Sequence, residues 1–136
     1  MFDLHMHTTW SDGKNTAEEM VQEAIRRGLE TVGISDHSSG DPCGMTLEGS
    51  VDYKAEIARL KEKYAGQIRV LCGLERDFIS DDFGAYDYVI GSVHCLCAHG
   101  AYLPVDESAE DLKRAADRHC GGDLYALIEA YYASVA

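Results

Sequence analysis

The chain has 136 residues, enough for one ordinary domain with a real core, and 46% apolar with 26% charged residues is a globular composition. A net charge of −12 makes a nucleic-acid backbone an unfavourable partner unless cations stand between the two. Five cysteines without small-scaffold spacing, no basic stretch leading into an apolar one before Asp3, and no apolar run of membrane-spanning length lead to the expectation of a cytoplasmic chain with reduced thiols.

Taken in order, Met1–His5 reads as a short strand ending at the first histidine. Thr16 lies three before Glu19, a capping box, and Ala17, Met20, Val21, Ala24 and Ile25 follow the helical apolar spacing until Gly28. Thr31–Ser35 is a buried strand running into Asp36 and His37, followed by a polar loop over Ser38–Ser50. A second helix is predicted over Val51–Tyr64, with Tyr53, Ile57, Leu60 and Tyr64 on one face and Gly66 beyond its end. Ile68–Leu74 is a strand leading into Glu75, and Tyr86–Val93 another leading into His94. A loop containing Pro104 follows, then a helix capped by Ser108 and running to His119. Gly121-Gly122-Asp123 separates it from a last helix whose Leu124, Leu127, Ile128, Tyr131, Tyr132 and Val135 form a wide apolar face. No internal repeat or low-complexity segment is present.

The order β-α-β-α-β-β-α-α predicts an α/β fold, a parallel β-sheet with helical crossovers. Four predicted strands run into possible metal ligands: His5 with His7, His37, Glu75 and His94. In barrel-type α/β proteins that end of the sheet carries the active site. His5 and His7, two apart on an extended segment, share a face and could grip one cation. Asp12 follows a short turn later and could serve a neighbouring ion, and Glu75 could offer one oxygen to each of two ions. Imidazole with carboxylate suits zinc, manganese or iron. Neighbouring ions would clamp a phosphoryl group and acidify a water between them.

Each residue alone also has an ordinary role. A histidine at a strand end is a hydrogen-bonding loop residue, Asp12-Gly13 a turn, and Glu75 a solvated rim position. Together they favour metal. Cys95, Cys97 and His99 form a competing cluster that could hold structural zinc, but C-x-C is tighter than the usual knuckle spacing, and these cysteines read better as small buried hydrophobes. Cys72 reads as core, and His119 as a helix-terminal cation suited to the dipole. There is no G-x-S-x-G, no P-loop and no cysteine with an arginine six residues later, so metal-activated water is the remaining route to hydrolysis.

The stretches "DLHMHTTWSDG", "VGISDH", "GLERD" and "DYVIGSVH", in this order, resemble the PHP (polymerase and histidinol phosphatase) superfamily. "VDES" and "GGDLYALIEAYYASV" are similar to its histidinol-phosphate phosphatase branch. The resemblance covers essentially the whole chain. It implies the first part of a distorted (β/α)7 TIM-like barrel and a centre of two or three divalent ions (Zn, Mn or Fe). On the family pattern His5, His7 and Glu75 would hold the first ion, Glu75 would bridge to a second with His94, and Asp12 and His37 would hold the third. The implied reaction is hydrolysis of L-histidinol phosphate to L-histidinol and phosphate in histidine biosynthesis, by metal-activated water.

Members of that branch run to about twice this length and supply further ligands from later strands. Residues 1–136 therefore read as the N-terminal portion of a PHP domain, ending in the helix before the fifth strand. Half a barrel leaves a sheet face and an edge open, which predicts a homo-oligomer whose copies cover each other. The implied partner is a small phosphomonoester, with neither nucleic acid nor membrane. Two functions stand beside each other: a metal-dependent phosphatase, and a metal-binding fragment or interaction module without turnover. A nuclease-like member of the superfamily is disfavoured by the −12 charge.

Overall fold

The computed structural model describes residues 1–98 and 101–136. The chain forms two compact units, Met1–Gly91 and Ser92–Ala136. The first contains β1 (Phe2–Asp3), α1 (Ala17–Arg26), β2 (Thr31–Ile34), α2 (Leu47–Lys63), β3 (Arg69–Asp77) and β4 (Tyr88–Ser92), whose last residue opens the second unit. The sheet order is β1-β2-β3-β4, with β1, β2 and β3 parallel. Two helices serve as crossovers, as expected for this strand order.

The predicted capping box forms: Thr16 Oγ1 accepts from the Glu19 amide while the Glu19 carboxylate accepts from the Thr16 amide. Gly28, at φ 74°, lies just beyond the end of α1. α2 starts at Leu47, four residues before the expected Val51. Gly49 and Ser50 are weak helix formers and made this turn look like loop. Thr46 caps it from the Gly49 amide, and Ser50 Oγ donates to the Leu47 carbonyl. Val32, Ile34, Val70, Cys72 and Leu74 of the sheet pack with Val21 of α1 and Tyr53, Ile57 and Leu60 of α2. Each such fully buried side chain contributes roughly 1.5–3 kcal/mol.

Register positions the site. Ile34 pairs with Cys72, and three residues further on His37 and Glu75 form an isolated parallel bridge in the same register. Glu75 thus lies within β3, not just past its end. β1 stops at Asp3, short of the expected His5, because the Asp3 carboxylate takes the His5 amide (3.1 Å) in a local turn.

The second unit holds β5 (Cys95–Ala98), β6 (Ala101–Pro104), α3 (Ala109–His119) and α4 (Leu124–Val135). β5 and β6 form an antiparallel hairpin, with Leu96 opposite Leu103, where a loop was expected. The order is therefore β-α-β-α-β-β-β-β-α-α. Pro104 suggested a loop but is the last residue of its strand, where a missing amide is tolerated. α3 is capped by Ser108 and runs to His119 as expected. Asp123 caps α4, of whose apolar face only Leu127 is buried, while Leu124, Ile128, Tyr132 and Val135 are exposed. Cys72 and Cys95 are buried, whereas His99 and the side chain of Cys97 lie outside the described residues. Among the described residues no helix is long and apolar enough to cross a membrane.

Candidate metal centre

The segment after β1 carries His5, His7 and Asp12 and is folded back by buried groups. Asp36 at the end of β2 is fully buried. Its carboxylate accepts from the Thr8 amide (2.7 Å), the Thr8 hydroxyl (2.8 Å) and the Ser11 hydroxyl (2.6 Å). A buried carboxylate persists only with such compensation. The Ser11 and Gly13 amides both donate to the Thr8 carbonyl, closing the turn. Position 13 must be glycine because a Cβ there would lie 2.5 Å from the His7 carbonyl. Trp10 ties the turn to α2, donating from Nε1 to Glu56 (2.7 Å) and packing edge-on against Tyr53. This scaffold sets His7 and Asp12 opposite the ends of β2 and β3.

Three imidazoles converge there on one carboxylate oxygen. Glu75 Oε2 lies 3.0 Å from His5 Nε2, 2.8 Å from His7 Nε2 and 3.4 Å from His37 Nδ1. The His7 and His37 rings are 4.3 Å apart, edge to face. Asp12 stands on the other side of His7, with His7 Nδ1 donating to its Oδ1 at 2.8 Å, and its Oδ2 is 3.8 Å from His37 Nε2. Within the first unit two ligand groupings result, His5–His7–Glu75 and His7–Asp12–His37. Asp41, absent from the sequence reading, brings an oxygen to 4.0 Å from His37 Nδ1. Burial pushes the Asp12 carboxyl up, but the hydrogen bond from His7 and the electrostatic interaction with His7 and His37 outweigh it, so its pKa lies below the usual value.

The donor set suits a divalent cation. With its proton on Nδ1 for Asp12, His7 leaves Nε2 as an acceptor, 2.8 Å from Glu75 Oε2 but not aligned with it as a hydrogen bond. Nε2 is buried and has no hydrogen-bond partner among the described residues. Two acceptor atoms this close repel each other, and a cation held by both removes the conflict. Imidazole nitrogens with carboxylate oxygens are the ligand chemistry of zinc, manganese and iron sites. Burial supports this reading, with the Glu75 side chain 6% and the His37 side chain 9% exposed. His94 belongs to the second unit, where its carbonyl accepts from the Val105 amide at 3.0 Å.

Two residues of the scaffold escaped sequence reasoning. Asp36 looked like a spacer between a strand and a histidine, and its only signal was an acid at the end of an otherwise buried run. Tyr53 was placed only on one face of the second helix, yet its hydroxyl meets both the Ile34 and Gly73 carbonyls (2.7 and 2.8 Å), bracing β2 against β3 just below the centre.

Comparison with known proteins follows the same lines. A histidinol-phosphatase of Bacillus subtilis (strain 168) is 31% identical over 156 residues, covering 98% of this chain and 58% of that protein. The DNA polymerase/3'-5' exonuclease PolX of the same organism is 36% identical over 104 residues, covering 68% of this chain and 18% of that protein. The crystal structure of a histidinol phosphate phosphatase from Lactococcus lactis subsp. lactis, complexed with zinc, L-histidinol and phosphate, superimposes with a TM-score of 0.62 at 24% identity, over 88% of this chain and 51% of that one. The likeness establishes the fold, an α/β architecture corresponding to part of a TIM-like barrel. The chain spans about half the length of the histidinol phosphatases it matches. The PHP domain model matches residues 3–135, practically the entire sequence, and the chain belongs to the PHP domain family.

Proposed function

We propose that the chain is the N-terminal portion of a metal-dependent phosphomonoesterase of the histidinol-phosphatase type. His5, His7 and Glu75 hold one divalent ion, and Asp12 and His37 contribute to a neighbouring one. The observation that carries this reading is the convergence of three imidazoles on a single Glu75 oxygen, with His7 Nε2 buried and without a hydrogen-bond partner among the described residues. For His94 the reading rests on the family pattern. The ions are zinc, manganese or iron, two or three in number.

When bound, such ions supply Lewis acidity for phosphoryl oxygens and lower the pKa of water. The chain's own residues do the rest. Asp12 holds the His7 proton on Nδ1, which keeps Nε2 available as a donor of electrons. The Glu75 carboxylate lies between three rings and would offset part of the charge of a bound cation. Asp36 fixes the spacing of His7 from Asp12 through Thr8 and Ser11.

The Lactococcus structure, with L-histidinol and phosphate bound, supports histidinol phosphate as the substrate. The exonuclease relative shows that the domain also occurs beside nucleic-acid chemistry. The −12 charge of this chain weighs towards a small phosphomonoester over a polyanionic backbone. Phosphate release from histidinol phosphate with added Zn2+ or Mn2+, abolished by His7→Ala and by Glu75→Ala, is the expected result. Near-stoichiometric metal without turnover favours the second reading, a metal-binding portion lacking activity, which the half-length match to the phosphatases also supports.

The same reading includes self-association. Phe2, Phe83 and Val89 of the first unit are exposed, as are Tyr125 and Tyr132 of the second. Apolar area left in solvent favours association of copies. Light scattering at micromolar concentration should give more than the monomer mass, and a monodisperse monomer contradicts it.

A further inference from the structure

The side chain of Tyr88, on β4, has no part in the ligand set but occupies an unusual place. Along β2 and β3 the side chains of Val32, Ile34, Cys72 and Leu74 turn into the core with α1 and α2. Gly33 and Gly73 therefore fall on the opposite face of the sheet, in alternation. The Tyr88 ring lies over both. A Cβ added at Gly33 would overlap the Tyr88 hydroxyl, and one added at Gly73 would overlap the ring. Each glycine thus leaves room for the tyrosine. From this position the hydroxyl donates to the Leu4 carbonyl at 2.7 Å.

Both ends of this arrangement lead to the candidate centre. Leu4 is the residue before His5, in the segment where the β1 ladder has already ended. On β3, Glu75 follows Gly73 by two and so shares its face, about 6–7 Å further along. On β2, continuing the same alternation from Gly33 through Ser35 reaches His37. Tyr88 therefore fills the level directly beneath the ring of imidazoles. Burial pushes its phenol up to about 12, so it remains a protonated donor at any pH the protein would work at.

We propose that Tyr88 is the floor and positioning residue of the metal centre. Its ring, admitted by Gly33 and Gly73, closes the site from below, and its hydroxyl fixes His5 and His7 through the Leu4 carbonyl. The inference rests on the metal-binding reading given above. Tyr88 touches no ligand atom and acts by placing the backbone that carries two of them. Groups in this supporting position typically change metal affinity by about 10–100-fold when altered.

The test compares the full chain with Tyr88→Phe, Gly73→Ala and His7→Ala, by calorimetric titration with Zn2+ and by amide exchange of the metal-free proteins. Tyr88→Phe keeps the ring and removes only the hydroxyl. It should weaken zinc binding about tenfold and speed exchange from His5 to Thr8, while the amides of β3 keep their protection. Gly73→Ala, which displaces the ring, should weaken zinc binding at least as much. Zinc affinity unchanged in Tyr88→Phe overturns the inference. So does a loss of protection as large in β3 as around His5, because that means general packing rather than positioning. Unchanged zinc binding in His7→Ala overturns the metal reading itself and Tyr88's role at that site. Loss in His7→Ala with no loss in Tyr88→Phe removes the Tyr88 inference alone.

Discussion

In the first unit the apolar stripe of α1 disappears into a core, with Val21 and Ala24 buried and Met20 and Ile25 packed against it. In the second unit the apolar side chains of α4 stay largely in solvent: Leu127 is buried in a small cluster with Leu96, Ala115 and Ala116, and Tyr131 packs against it. Both helices offer apolar side chains to be covered, α1 as one stripe and α4 over most of its surface. The difference is what each finds to cover it: α1 meets a parallel sheet and a second helix, whereas α4 has a two-stranded hairpin and α3. Periodicity reports that a helix has an apolar side and says nothing of whether that side is covered within the chain. The candidate site is built on the first unit for the same reason. Crowded acceptor atoms and a fully buried Asp36 are tolerated only on a framework with a core to hold them.

The strongest way to break this comparison is to hollow out each core. Leu60→Ala, at a fully buried position between α2 and the sheet, should cost about 3–4 kcal/mol in urea unfolding of the first unit. Leu127→Ala should cost nearer 2 kcal/mol, because its neighbours on α4 are exposed and can collapse onto the gap. Equal losses would mean that the two cores are equivalent. Next comes the scaffold of the site. Asp36→Ala leaves the Thr8 amide, the Thr8 hydroxyl and the Ser11 hydroxyl without their acceptor and should cost about 2–3 kcal/mol. It should also weaken zinc binding, measured by titration, although Asp36 touches none of the proposed ligand atoms. Full zinc affinity in that variant would show that the Thr8–Ser11 turn does not position the histidines.

A smaller effect concerns the tie between α1 and α2. Glu18 accepts hydrogen bonds from Lys63, Arg59 and Tyr64, and these hold its carboxyl down at about 2, against an ordinary 4.5. Because the folded value is depressed, the tie is fully present above about pH 4.5 and is lost as pH falls towards 2. Glu18→Gln should flatten the fall in melting temperature across that window and change little at neutral pH. The smallest effect on stability is expected from Tyr132→Ser on the exposed face of α4, within about 0.5 kcal/mol. Its readout is association: the variant should shift light scattering towards the monomer.

Much of this was legible in the residues, for identifiable reasons. The Thr16–Glu19 capping box, Gly28 and the spacing of Tyr53, Ile57 and Leu60 are local signals, and each element they mark is present. The early start of α2 was hidden by Gly49 and Ser50, whose weak propensity is overridden by the Thr46 cap. The β5–β6 hairpin was hidden by Pro104, read as a loop marker when it only ends a strand. In the candidate site, His5, His7, Asp12, His37 and Glu75 could be named from strand ends and spacing. Their meeting on one carboxylate oxygen could not, because it depends on the parallel register that sets His37 beside Glu75. Asp36 and Tyr88 were illegible for a related reason: each acts on backbone far away in sequence, Thr8 in one case and Leu4 in the other.

The central claim is that His5, His7, Glu75, Asp12 and His37 hold divalent metal. Elemental analysis of the purified, dialysed chain beside the His5→Ala/His7→Ala double variant tests it most directly, with circular dichroism confirming that both are folded. The account predicts near-stoichiometric zinc, manganese or iron in the unaltered chain and its loss from the double variant. Equal metal content in the two proteins would contradict it.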